Sequence, residues 1–254
     1  MKKINLIVFL FFASIVVVQQ SALAQSKKEF YELRTYELRF GSPRGNLENY
    51  FKNALIPALN KYGVKNIGAF GEIGNSDPAK IYLLIPYASI DDFASINAKI
   101  KTDEDFIKAS QEYNNLQPDK APYVRYKSSL MNAFDGLPQL VKPTAEQKLL
   151  ELRIYESYSE DAARRKRKMF NDEEIKIFKD TKLNSVFFGE VIAGEHMPCL
   201  TYMLAFKNME ERDANWKDFS ANADWKRISS APEYANSVSN IFRVFLKPLT
   251  YSQL

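Results

Sequence analysis

Tyr31-Glu-Leu-Arg-Thr-Tyr-Glu37 and Leu150-Glu-Leu-Arg-Ile-Tyr-Glu156 are nearly one heptapeptide written twice, about 119 residues apart. Other pairs keep that spacing and that order. Phe70-Gly71-Glu72-Ile73 matches Phe188-Gly189-Glu190-Val191, and Tyr82-Leu83-Leu84 matches Tyr202-Met203-Leu204. Asp105-Phe106-Ile107-Lys108 faces Asp224-Trp225-Lys226-Arg227, and Arg125 faces Arg243. Such a series is hard to obtain by chance. It defines a duplicated module, roughly 29–130 and 149–248. The stretch 131–148 carries Gly136, Pro138 and Pro143 and reads as a linker. Two copies of a domain-sized unit are not a solenoid.

Each copy reads β-α-β-β-α-β. In the first, Phe30–Phe40 is strand-like. From Arg44 to Tyr62, Leu47, Tyr50, Phe51, Ala54, Leu55, Ala58, Leu59 and Tyr62 recur at the helical three/four step. Gly63 is a natural stop, and Pro57 inside the run predicts a kink or loosened turn. Ile67–Ile73 and Lys80–Tyr87 are strands of a hairpin turning at Gly74-Asn-Ser-Asp-Pro78. Ser89 with Asp92 opens a second helix, and Tyr123–Leu130 closes the module as a strand. This is the ferredoxin-like order, whose helices cover one sheet face and leave the other bare. The fold expected is therefore α+β. Two tandem ferredoxin-like modules turn their bare faces together to form an intramolecular dimeric α/β barrel.

Side chains alternate across a strand. Leu150, Leu152 and Ile154 share one face, expected under the helices, as do Tyr31, Leu33 and Thr35. Glu32, Arg34 and Tyr36, with Glu151, Arg153 and Tyr155, would then line the barrel interior. A buried Glu and Arg must be paired. The pattern suits a ligand cavity in which Arg anchors an anion and Tyr donates a hydrogen bond. Its repetition in both copies favours a structural Glu–Arg network that seals the barrel.

The repeated heptapeptide, the helix ending near Gly63, the Phe70-Gly71-Glu72 strand and the Trp216…Asp224-Trp225 region resemble the NIPSNAP family, within the dimeric α/β-barrel superfamily. The resemblance implies the tandem barrel fold and brings no catalytic residues. The second copy departs from the pattern: its first helix carries Arg164-Arg-Lys-Arg-Lys168, and no Gly precedes its second strand. The wider superfamily includes cofactor-free monooxygenases, haem-handling proteins and ligand-binding modules. Those are analogies of fold. Three functions stay open: an exported protein binding a small, partly apolar molecule, a cofactor-independent monooxygenase, and a non-catalytic structural or partner-binding protein. In the second, Arg34 or Tyr36 would steady an enolate-like anion.

Composition narrows the rest. The chain has 254 residues, is 46% hydrophobic and 26% charged, and so is neither a disordered polymer nor a multi-span membrane protein. One cysteine, Cys199, excludes an internal disulfide, and with one histidine, His196, it argues against a metal centre. No cofactor is expected. A formal charge of +4 gives no case for nucleic acid; a homo-oligomer stays open. Residues 1–24 read as a signal peptide: Lys2 and Lys3, an apolar run Ile4 to Val18, then Ala22-Leu23-Ala24, with cleavage before Gln25. The run falls short of the roughly 20 residues needed to span a bilayer. The product is expected in the periplasm or outside the cell, without stable membrane insertion. His196 reads as an exposed hairpin tip, the 164–168 run as a solvated helix face, and Trp216, Phe219 and Trp225 as core.

Overall fold

The computed structural model describes residues 27–254 except Asn75. The expected export segment, 1–24, lies outside them. The apolar alternation of each module yields four strands: β1 (Phe30–Leu38), β2 (Gly68–Glu72), β3 (Lys80–Tyr87) and β4 (Tyr123–Ala133), then β5 (Leu149–Glu156), β6 (Asn184–Ala193), β7 (Cys199–Phe206) and β8 (Asn240–Pro248). They close one antiparallel barrel in the order β1-β3-β2-β8-β5-β7-β6-β4. Two seams join the modules. Phe70 to Glu72 pair with Pro248 to Leu246, and Leu130 to Ala133 pair with Ala193 to Gly189. Closure leaves no full sheet edge for another chain.

The helices lie outside the barrel. Module one has α1 (Arg44–Tyr50), α2 (Ile56–Lys61), α3 (Ile90–Ile100), α4 (Glu104–Ala109) and α5 (Gln111–Asn114). Module two has α6 (Glu160–Met169), α7 (Ile175–Asp180), α8 (Met209–Ala221) and α9 (Ala223–Ser229). Matching positions cap matching helices. Ser89 Oγ accepts the Asp92 N–H at 3.1 Å, as Asn208 Oδ1 accepts that of Glu211 at 2.9 Å. Asp103 and Asn222 do the same for α4 and α9.

The first long helix of each copy contains a π-helical turn, Phe51–Leu55 in one and Phe170–Glu174 in the other. Pro57 follows the first, but the second has no proline near it. The loosened turn is therefore set by packing, with Pro57 accommodated just after it. In each copy the phenylalanine opening the turn is fully buried against the last tyrosine of the heptapeptide: Phe51 on Tyr36 at 4.9 Å between ring centroids, Phe170 on Tyr155 at 6.1 Å.

Three cores result. One fills the barrel with strand residues of both modules, among them Tyr31, Phe70, Met131, Phe187, Met203 and Leu246. The others lie between sheet and helices of each module. The segment 134–148 is strapped to this frame. Phe134 is buried, Glu29 N–H donates to the Pro138 carbonyl, and Val141 N–H to that of Val186.

Candidate functional site

The heptapeptide alternates as expected, but in the opposite phase. Glu32, Arg34 and Tyr36, and likewise Glu151, Arg153 and Tyr155, face the helices. Leu33 and Thr35, with Leu152 and Ile154, face the barrel interior. The physical reason is that both faces of these strands are covered, so burial alone does not fix the phase. The helices bring polar side chains that meet the charges, whereas the barrel centre is packed with apolar ones.

In module one, Arg34 grips Glu32 from its own strand. Nε reaches Oε1 at 2.7 Å and Nη2 reaches Oε2 at 2.9 Å. Ser128 Oγ donates to Glu32 Oε1 at 2.8 Å, and Asn97 Oδ1 on α3 accepts from Arg34 at 3.3 Å. Burial alone would lower the arginine pKa, but the Glu32 charge outweighs it and holds it well up. In module two, Arg212 on α8 takes that place. Its Nε and Nη2 reach Glu151 at 2.9 and 3.0 Å, and Trp216 Nε1 donates to the same carboxylate at 3.0 Å. Arg153 stands 3.4 Å from Glu151, lies over the Trp216 ring at 4.4 Å, and has a buried Nε without a partner. Both carboxylates are satisfied by the protein itself, so the strips are braces between sheet and helices.

The opening is elsewhere. At one end of the barrel a pocket of about 230 Å³ lies between the two modules. Leu33, Thr35, Leu152, Ile154 and Val244 form its wall together with Tyr82, Ser129, Thr201 and Phe242, which lie beside Thr35, Leu33 and Ile154 on neighbouring strands. Its rim is charged. Lys127 Nζ sits 3.0 Å from Glu37 and 3.2 Å from Glu195, which raise its pKa. Tyr82 donates to Glu72 at 2.7 Å, and burial first, then Glu72, pushes the phenol pKa well above the ordinary value.

His196 sits exposed in the β6–β7 hairpin, as expected, and from there also lines this rim. Its Nδ1 is 2.6 Å from Glu156 Oε1, and its ring packs on Phe242 at 4.5 Å. Asn240 Nδ2 donates to the other Glu156 oxygen at 3.0 Å. Glu156 closes the repeated heptapeptide, which was a usable signal. The approach of Asn240 and His196 from distant positions was not visible in the chain. Cys199, at the start of β7, is buried, and burial followed by the Glu156 charge pushes its thiol up to about 12. Among the described residues no group of three or more His, Cys, Asp or Glu is arranged to hold a metal ion, and no helix is long and apolar enough to cross a membrane.

The 164–168 run is not a uniformly solvated face. Arg164, Arg165, Arg167 and Lys168 pair with acidic neighbours. Lys166 is buried, its Nζ 2.7 Å from the buried Glu174. Burial raises the Glu174 pKa against the pull of Lys166. Phe219 is core, with Trp216 and Trp225 packed against it.

The NIPSNAP family model matches residues 31–119 and 150–253, and the chain belongs to the NIPSNAP family. No curated protein matches it. Solved structures share its fold at low identity. A protein of Lactobacillus acidophilus described as a candidate monooxygenase is 11% identical with a TM-score of 0.57, over 87% of this chain and 94% of its own. One of Fusobacterium nucleatum, described in the same way, is 10% identical at 0.55, over 89% and 94%. An anthrone oxidase-like protein is 8% identical at 0.53, over 89% and 93%.

Proposed function

We propose that this NIPSNAP protein binds a small, partly apolar molecule in the mouth of its barrel. The observation that carries the reading is the pocket of about 230 Å³ with an apolar wall and a charged rim, built by both modules. Binding sites combine an apolar lining with a few placed polar groups, and those of drug-sized ligands run from about 300 Å³ upward. A smaller pocket suits a single ring with one or two polar substituents. The braced strips around Glu32 and Glu151 take no part in contacting it. Calorimetric titration with monocyclic and bicyclic aromatic alcohols tests the reading. Monocyclic compounds bind, bicyclic ones bind more weakly, and Ile154→Trp, which fills the pocket, abolishes binding at an unchanged melting temperature. Equal binding by Ile154→Trp contradicts it.

A cofactor-independent oxygenase is the second reading, favoured by the polar rim beside an apolar wall and by the described roles of the proteins that share the fold. Arg34 and Tyr36 lie on the wrong side of the sheet to steady an anion in the barrel; Lys127 and His196 are placed for it. Oxygen uptake across a panel of phenols and quinols tests this, and no uptake with a compound that binds rules it out for that compound. Export of the chain is also proposed, on the pattern of residues 1–24. N-terminal sequencing of the protein from its native host would then begin at Gln25; a chain retaining Met1 contradicts export with cleavage.

A further inference from the structure

We propose that His196 is the proton acceptor of the barrel mouth, held by Glu156 and Asn240 to take the proton of a phenolic or enolic ligand. This rests on the reading that the mouth binds a small molecule, and it names that molecule's chemical class.

The geometry is that of a base oriented by a carboxylate. Each Glu156 oxygen has one partner: Oε1 faces His196 Nδ1 at 2.6 Å, and Oε2 accepts from Asn240 at 3.0 Å. A carboxylate only accepts, so Nδ1 is the ring nitrogen that carries a hydrogen toward Glu156, and in the neutral imidazole Nε2 is then the acceptor. Among the described residues Nε2 makes no hydrogen bond. The ring is fixed by Phe242 at 4.5 Å, and the side chain lines the pocket. Its backbone lies in the left-handed region, φ 65°, an uncommon conformation for a non-glycine residue. In module one the matching position is Ser76, and Glu37, the counterpart of Glu156, is paired with Lys127 instead. One wall of the mouth therefore offers a base and the other a cation.

The step balances without a co-reactant. The ligand O–H bond breaks, its proton goes to Nε2, and the electron pair stays on oxygen. Glu156 stabilises the imidazolium, and Lys127, held 3.2 Å from Glu195 next to His196, stabilises the oxyanion. The charged and titratable groups facing the ring and its pocket are Glu156 from β5, Glu195 from its own hairpin, Lys127 from β4, Glu37 from β1, Lys80 and Tyr82 from β3, Arg243 from β8 and the Cys199 thiol from β7. Burial keeps that thiol neutral.

Para-nitrophenol reports the step directly, because its phenolate is yellow and its phenol is not. It is titrated against the purified protein below the dye's own pKa. The expected result is bound dye in the phenolate form, its apparent pKa lowered by about one unit or more. His196→Asn, a residue at home at positive φ, still binds the dye but leaves it as the phenol. Glu156→Gln, of the same size, gives part of the same loss. Dye bound to the natural protein as the phenol overturns the proton acceptor and leaves the binding reading standing. Phenolate retained by His196→Asn also overturns it, and assigns the shift to the cations of the mouth, Lys127, Lys80 and Arg243. Dye that does not bind overturns both.

Discussion

The two modules share a carboxylate and differ in what holds it. Glu32 is held by Arg34 from the same strand, while Glu151 is held by Arg212 and Trp216 from the helix above. The matching helix positions in module one are Phe93 and Asn97. Where the helix brings Phe93, the strand arginine turns to its own glutamate. Where it brings Arg212, Arg153 is released onto the Trp216 face and keeps an unpartnered Nε. A second contrast lies across the π-helical turn. Lys166 and Glu174, a buried ion pair, stand where module one has the buried Leu47 and Leu55. One backbone thus accommodates either an apolar pair or a closed ionic pair, provided no charge is left alone.

The largest expected effect is at that pair. Glu174→Leu strands Lys166 and costs about 3–5 kcal/mol. The double change Lys166→Leu with Glu174→Leu copies module one and returns to within about 1 kcal/mol of the natural chain, because ion pairs and well-packed apolar pairs are near-equivalent. Chemical denaturation reads both, and a double change as costly as the single one breaks the equivalence of the modules. Next in size, Arg34→Ala removes the one cation paired with Glu32 among the described residues and costs about 3 kcal/mol. Arg153→Ala costs about 1 kcal/mol, since Glu151 keeps Arg212 and Trp216. Equal losses would show that the carboxylates are not held as described. An effect of a different kind is one of pH. The Cys199 thiol is raised from 9.0 to about 12 in the folded chain. Its contribution to stability is complete below pH 9 and falls as pH rises toward 12. The stability difference between the natural chain and Cys199→Ala therefore shrinks over that window, and a constant difference contradicts the raised thiol.

Much of the architecture was legible in the chain. The doubled heptapeptide gave the repeat, the three/four step gave the helices, and the bare faces of two ferredoxin-like sheets required closure on each other. The phase of β1 and β5 was not legible, because both faces of a barrel strand are buried and the burial pattern carries no sign. Pairing to Asn97 and Arg212, which lie on distant helices, decides it. The mouth was hidden for a related reason. Thr35, Ile154, Lys127, His196 and Phe242 come from five separate segments, and only barrel closure brings them together. The buried member of the 164–168 run was masked by its exposed neighbours.

Methyl NMR of the chain labelled at Leu, Ile and Val, titrated with para-nitrophenol, tests the central claim that the barrel mouth and not the sheet–helix layer receives a ligand. Shifts at Leu33, Leu152, Ile154 and Val244, with Ile96, Ile100, Ile177 and Ile228 unmoved, are the predicted result. Shifts confined to those four helix-layer isoleucines, around Glu32 and Glu151, would contradict it.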